Sequence, residues 1–322
     1  GDVYKRQGPR RVVAFGATAM TIGLLLTAEV ESIQLGYLTY GLGVGIGVAC
    51  CYVPMVAAVG GWFEARRTLA LGLAVAGIGT GTLVMVPMVE WVIDNQGWRD
   101  AYRLLAIMTA VLLTVAAIGA HRPPTSAASP VPIREAIRGR VDFWILYVSS
   151  ILISITLFTP FVFLADYIDT VGGTGSAAVL LGLIGMSSIA GRLGFGAVAA
   201  RIGITGLYQL SFLVLSLSVL LWIVADTSYS LLILFAVVLG VAYGGFIALS
   251  PAVVAVRFGV VGMGGVLGAL YTAAGVGGLV GPPTIGAIID ASDHTAAQIT
   301  ALVSGLLGTA LLLTMRPPPT PV

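Results

Sequence analysis

The chain of 322 residues is 58% hydrophobic, 9% charged and carries a net charge of +2, whereas an average soluble domain carries about 25% charged residues. That balance excludes a soluble globular domain, and with no basic face on such a domain it excludes a DNA or RNA partner. Stretches of low charge, each long enough for a helix to cross about 30 Å of hydrocarbon, recur at 11 to 28, 34 to 58, 68 to 90, 101 to 120, 143 to 164, 176 to 199, 205 to 225, 230 to 255, 262 to 288 and 295 to 315. Roughly 10-residue segments of alternating polarity, the mark of a membrane β-barrel, do not occur. The expected fold is all-α, a ten-helix bundle whose solvent is the lipid bilayer.

Taken in chain order, residues 1 to 7 (GDVYKRQ) match nothing apolar or periodic around them and read as a non-native leader. The start lacks the initiating Met and the cleavage signature of a signal peptide and reads as truncated, and fold reasoning starts at Gly8. The second stretch contains GLGVGIGVACCYVP (41 to 54), with glycines at 41, 43, 45 and 47. A dinucleotide loop needs G-x-G-x-x-G after a strand in a soluble βαβ unit, so these glycines instead predict close helix packing. Cys50 and Cys51 are adjacent within an apolar run, which offers neither a disulfide framework nor a metal site; they read as packing residues, and no cofactor or metal is expected. Pro54, Pro87, Pro160, Pro251, Pro282 and Pro283 fall inside the apolar stretches and mark kinks that neighbouring helices satisfy.

The one long polar stretch, HRPPTSAASPVPIREAIRGR (121 to 140), reads as a linker between bundles. It divides four helices (8 to 120) from six (142 to 322), with 121 to 141 between them. Within it, 133 to 140 behind Pro132 reads equally as an interfacial helix or a solvated segment. If the ten stretches alternate across the membrane, basic residues from Lys5 to Arg316 fall on one side and only Arg99 and Arg103 on the other, while Glu29, Glu31, Glu90, Asp94, Asp166 and Asp226 lie on that other side. The positive-inside rule then puts the linker and both ends in the cytoplasm. His121 and His294, at loop ends, are expected to be solvated.

A repeat runs through the chain. LGVGIGVACCYVP (42 to 54) aligns with LGVAYGGFIALSP (239 to 251), setting Gly43 on Gly240 and Pro54 on Pro251, and VAGIGTG (75 to 81) aligns with AAGVGGL (273 to 279). A same-direction repeat of this length is the two-half plan of many transporters. With one half two helices short, it predicts a front end truncated by two helices.

On these residues the chain resembles the major facilitator superfamily, and within it the monocarboxylate-transporter-like branch. GPRRV (8 to 12) is similar to the tail of the superfamily's cytoplasmic motif, and GRLGFGAVAARIG (191 to 203) to its second copy. WFEARRTLALGLAVAGIGTG (62 to 81), GWRDAYRLLA (97 to 106) and TPFVFLADY (159 to 167) are similar to segments of the branch, so the ten stretches would be family helices three to twelve. The resemblance implies an alternating-access secondary transporter of the plasma membrane, such as a bacterial inner membrane. Its substrate would be a small organic anion such as a monocarboxylate, moved with a proton. It also implies that Arg10, Arg11, Arg66, Arg67 and Arg201 belong to cytoplasmic gating motifs. One departure matters: the branch carries an Asp four residues before its helix-eight Arg, and this chain has Ser188 before Arg192.

An ionisable group within a membrane helix costs about 2.5 to 3.5 kcal/mol on insertion scales and is a functional candidate by default. Arg192 is the clear case, and two readings stand for it: a fork for a substrate carboxylate, or an anchor snorkelling to the cytoplasmic interface. Tyr147, Ser150, Ser154, Thr159, Ser187, Ser188, Tyr243, Ser250, Tyr271 and Thr272 are the neutral candidates for a cavity wall, with Tyr147, Tyr243, Tyr271 and Ser188 joining Arg192 as the expected substrate-binding set. With no H-E-x-x-H, Walker loop or Ser-His-Asp set, no catalytic residues are expected. Two rivals remain, an efflux transporter for drugs or metabolites and a sensor or scaffold that does not transport.

Overall fold

A computed structural model of the chain describes residues 2–63, 66–121, 139–171, 175–259 and 263–315, with side chains from Pro9 onward and position 200 by backbone only. The linker segment 122 to 138, with Arg122, Arg134 and Arg138, lies outside these residues, as does Arg316; the backbone of the supposed leader is helical from Asp2. Ten helices follow one another: α1 (Asp2–Ala28), α2 (Ile33–Trp62), α3 (Arg67–Gln96), α4 (Trp98–Gly119), α5 (Val141–Thr170), α6 (Ala177–Ile202), α7 (Ile204–Ala225), α8 (Tyr229–Phe258), α9 (Met263–Ala291) and α10 (His294–Leu313). Every one is long and apolar enough to cross a membrane, and no strand occurs among the described residues. Each low-charge stretch corresponds to one helix. Most helices run on into flanking polar residues, because a backbone leaving hydrocarbon loses nothing by keeping its internal hydrogen bonds.

Local chemistry sets several boundaries. Ser32, Ser176 and Asp293 cap α2, α6 and α10 by accepting from Leu35 N, Val179 N and Ala296 N at 3.4, 3.3 and 2.7 Å. A single residue joins α3 to α4. Gly97 takes φ +93°, a conformation that side chains with a Cβ rarely adopt, and its N–H closes the end of α3 on Val92 O and Ile93 O. All six prolines named above lie inside helices.

By contacts the chain forms two units. One gathers α1, α2, the part of α3 from Pro87 and α4; the other gathers the start of α3 up to Val86 with α5 to α10. The affiliation of α3 therefore changes at a proline, where the helical hydrogen-bond ladder is interrupted.

In the first unit α1 packs between α2 and α4. A methyl built on Gly23 would lie 2.6 Å from Gly43 Cα, and one built on Gly47 would lie 2.5 Å from Met20 Cβ. One built on Gly16 would lie 2.6 Å from Cys50 Cβ. Half of the alternating glycine run thus serves the α1/α2 seam, where small residues four apart let backbones meet, while Gly41 and Gly45 on the other face meet nothing within 4 Å. Both cysteines are free, and Cys51 Sγ lies 3.6 Å from Val13 O in this seam. Arg103, one of the two exceptions to the charge rule, is held by Glu29 at 2.6 Å and Asp100 at 2.9 Å; the other, Arg99, donates to Val30 O at 3.2 Å.

In the second unit α8 packs between α6 and α7, and α5 between α9 and α10, with α10 also against α7. The α7/α8 seam is aromatic: Trp222 stacks on Phe235 with centroids 5.4 Å apart, and Phe246 meets Tyr208 and Phe212 at 5.9 and 5.3 Å. The α5/α10 seam is hydroxylic, with Thr156 Oγ1 donating to Ala301 O at 2.7 Å and Ser304 Oγ to Leu152 O at 2.9 Å. The aligned repeat does not carry over glycine by glycine. Gly43 faces the preceding helix α1, whereas Gly240 faces Ile184 and Ser187 of α6; the alignment follows a shared need for small residues, and the neighbours differ.

His294 corrects its sequence expectation. Its side chain is 12% exposed, with Nε2 3.4 Å from Asp166 Oδ2 and the ring edge-on to Tyr167 at 5.5 Å. The first turn of α10 therefore docks on the last turn of α5. His121 is exposed, as expected.

Candidate functional site

The crossing of α3, α6 and α8 within the second unit is built on glycine. Along α3, Thr68, Gly72, Gly79 and Thr82 approach Gly196, Arg192 and Gly185 of α6 in descending order, so the two helices run antiparallel in contact. From the opposite side α8 supplies Gly240 and Gly244, which rest on the α6 backbone at Ile184 and Ser188. Gly191 in turn receives Val241. Only residues without side chains leave room for a guanidinium where three backbones meet.

Arg192 fills that room and is fully buried. It lies seven residues before Ala199, the end of the apolar span of α6, or about 10 Å at 1.5 Å per residue. The guanidinium turns back toward the start of α6: Nη1 donates to Ser188 Oγ at 2.7 Å, and Ser188 Oγ donates to Gly185 O at 2.6 Å. Its carbon lies 5.2 Å from the ring centroid of Tyr243 on α8, within cation–π range. A methyl on Gly79 would sit 2.6 Å from Nη1 and 2.6 Å from Ser188 Oγ, so α3 closes the site by lacking one. Of the two readings, the geometry disfavours the anchor, because a snorkelling guanidinium points out along its helix toward water.

The expected set is brought together in part. Arg192, Ser188 and Tyr243 form one cluster, and Tyr243 meets Phe161 of α5 edge-on at 6.1 Å. Tyr147 belongs to another group, its hydroxyl 3.0 Å from Thr272 Oγ1, which joins α5 to α9. Tyr271, next in sequence to Thr272, is half-buried on α9. Two of the remaining hydroxyls are bonded within their own helix. Thr159 Oγ1 donates to Ile155 O at 2.8 Å and Ser187 Oγ to Leu183 O at 2.6 Å, the usual return of such groups to their own helix. Ser150 and Ser250 are buried beside the hydroxyl of Tyr208. Arg10, Arg11, Arg66 and Arg201 are exposed and Arg67 is half-buried.

Sequence reasoning missed two features. Gly72 and Gly79 form a wall of the arginine site; their glycine spacing was visible, but not which helix they would meet. Arg257, buried at the end of α8, pairs with Asp142 Oδ2 in the first turn of α5 at 3.2 Å and accepts through its carbonyl from Arg140 Nη2 at 2.6 Å. No local signal joins residues 115 positions apart.

A multi-pass helical bundle that buries a cation at a glycine-lined crossing has the architecture of a membrane transport protein. The chain belongs to the Major Facilitator Superfamily, which it matches over residues 1–227. Monocarboxylate transporter 13 of Rattus norvegicus is 30% identical over 322 residues, covering 96% of this chain and 73% of that protein. The MFS transporter asaE of Aspergillus flavus is 29% identical, covering 98% and 73%, and the Agnestins efflux protein AgnL12 of Paecilomyces divaricatus is 27% identical with the same coverage. Among solved structures, a variant of the E. coli fucose:proton symporter FucP superposes with a TM-score of 0.71 at 12% identity, covering 98% of this chain and 85% of that one. The human organic anion transporter MFSD10 gives 0.67 at 15%, covering 94% and 77%. The protein is a multi-pass transporter of this superfamily, with monocarboxylate transporters and fungal efflux proteins among its relatives.

Proposed function

We propose that the protein carries a small organic anion, of the monocarboxylate kind, across the plasma membrane by alternating access, with the linker and the C-terminus in the cytoplasm. The observation that supports this is the buried guanidinium of Arg192, turned inward and held by Ser188 Oγ and the Tyr243 ring. A preorganised fork of donors in low dielectric is what a carboxylate in transit requires. Ser188 and Tyr243 complete this anion site, and Tyr147 and Tyr271 contribute hydroxyls from α5 and α9. The arginines at 10, 11, 66, 67 and 201 serve the cytoplasmic gates. Coupling to a proton, implied by the resemblance, belongs to the proposal and is read as uptake driven by an inward proton gradient.

The test is uptake of radiolabelled lactate into proteoliposomes holding the full chain. Arg192→Ala should abolish saturable uptake and Arg192→Lys should retain a small fraction, while both variants keep wild-type helical circular dichroism and elution. Saturable lactate uptake unchanged in Arg192→Ala would remove Arg192 from the site. The fungal efflux relatives favour a second reading, export of apolar metabolites. It predicts no lactate counterflow and the expulsion of lipophilic dyes from energised vesicles.

A further inference from the structure

The interior of the second unit holds a polar group that the transport site does not use. Tyr208 of α7 is fully buried, and its ring is clamped, stacked on Phe246 with centroids 5.9 Å apart and tilted against Phe212 at 4.9 Å. A ring held on two sides cannot swing its hydroxyl out to solvent, and a buried phenol needs a partner. Among the described residues Tyr208 Oη makes no hydrogen bond of acceptable geometry. Two further hydroxyls lie beside it, those of Ser150 on α5 and Ser250 on α8, and both residues are buried.

These two serines differ from their neighbours. Ser211, Ser216 and Ser218 of α7 and Ser187 of α6 each donate to a carbonyl of their own helix at 2.6 to 2.8 Å, the usual resort of a hydroxyl in a membrane helix. Ser150 and Ser250 make no such bond among the described residues. Ser250 is followed by Pro251 inside α8. Proline has no N–H, so the carbonyl of Ile247, four residues back and on the same side of the helix, loses its regular partner. Three hydroxyls from three helices thus lie close enough to interact, yet out of alignment for a direct bond, next to a stretch of α8 whose ladder is interrupted.

We propose that these groups hold a single buried water molecule. Such a water makes about three hydrogen bonds to polar groups that the protein leaves unmatched, and its two donors and two acceptors suit this set, since hydroxyls both give and take while a carbonyl only takes. It accepts from Tyr208 Oη, exchanges hydrogen bonds with Ser150 and Ser250, and keeps a donor for the Ile247 carbonyl. A cation fits less well, because none of these groups is anionic and nothing balances a charge taken out of water. The water fastens α5, α7 and α8 through one shared partner, at the level where proline weakens α8.

The experiment combines a density map with thermal unfolding of the purified full chain in one detergent. A wild-type map fine enough to show ordered water should contain one peak about 2.7 to 3.0 Å from Tyr208 Oη, Ser150 Oγ and Ser250 Oγ. Direct bonds between the hydroxyls, with no peak among them, would overturn the assignment. Tyr208→Phe removes one anchor and should lower the unfolding midpoint by about 3 °C. A rise would sink the proposal by showing a phenol that is merely unpaired, since deleting an unsatisfied buried group stabilises. Ser150→Asn separates a bridging water from direct bonds, because its amide extends into the place of the water. Its midpoint should lie above that of Ser150→Ala; a midpoint below it would mean overpacking, with no room for a water, and would end the claim. Replacing choline chloride by sodium chloride at equal ionic strength should leave the midpoint unchanged. A sodium-dependent rise that Tyr208→Phe abolishes would assign the site to a cation and refute the water.

Discussion

At the scale of single residues, Arg192 is defined by what its neighbours lack. The site depends on an absent methyl at Gly79 as much as on the hydroxyl of Ser188 or the ring of Tyr243. Adding that methyl should push Nη1 off Ser188 without removing any charge, since a helical Cβ there would sit 2.6 Å from both groups. At Gly77, two residues earlier on α3, the same methyl would meet nothing within 4 Å. Gly79→Ala should therefore cost at least tenfold in lactate uptake, about 1.4 kcal/mol, whereas Gly77→Ala should leave it unchanged. Equal rates for the two variants would mean that the crossing is softer than its geometry. The identity of the candidate residues was legible in the sequence, because a guanidinium in an apolar stretch stands out by cost alone. Its direction was not, because the rotamer is decided by room among three helices, and those helices come from distant parts of the chain.

At the scale of elements, the second unit is stitched by seams of different chemistry, aromatic between α7 and α8 and hydroxylic between α5 and α10. The join between α5 and α8 is of another kind, since each packs along its length on other helices. Their ends meet through Asp142 and Arg257, through Arg140 stacked 4.9 Å from the Phe258 ring, and through Phe143 edge-on to Phe258 at 6.2 Å. The Arg257 side chain is 4% exposed and that of Asp142 33%. Removing one partner of a buried pair is far costlier than removing both. With the carboxylate a third exposed, Asp142→Asn alone should destabilise by about 1.5 kcal/mol, while Asp142→Asn with Arg257→Gln should recover part of that loss. Thermal unfolding of the four proteins of the cycle in one detergent measures this; strictly additive losses would mean that the pair is not coupled.

At the scale of the whole molecule, ten helices were readable from charge spacing because hydrocarbon tolerates so few alternatives. The packing was less readable. The repeat that aligned Gly43 with Gly240 detected two similar helices, yet the glycines face different neighbours, since sequence likeness records the need for small residues without recording rotation about the helix axis. The orientation proposed from basic residues is open to direct measurement. In a background lacking Cys50 and Cys51, Asp94→Cys should react with an impermeant maleimide in intact cells, and Arg201→Cys should react only after permeabilisation. The reverse pattern would invert the molecule and with it the assignment of the gates.

The change of affiliation at Pro87 bears on divisibility. A polypeptide cut in the linker would separate the stretch before 121 from the stretch after it, yet the beginning of α3 would travel with the first piece while its packing partners α6 and α8 travelled with the second. The later piece, made alone, would present an open slot beside Arg192 instead of a closed site. Inheritance along the chain and cohesion in space thus draw different borders, and the stretch after the linker does not carry every wall of its own arginine site.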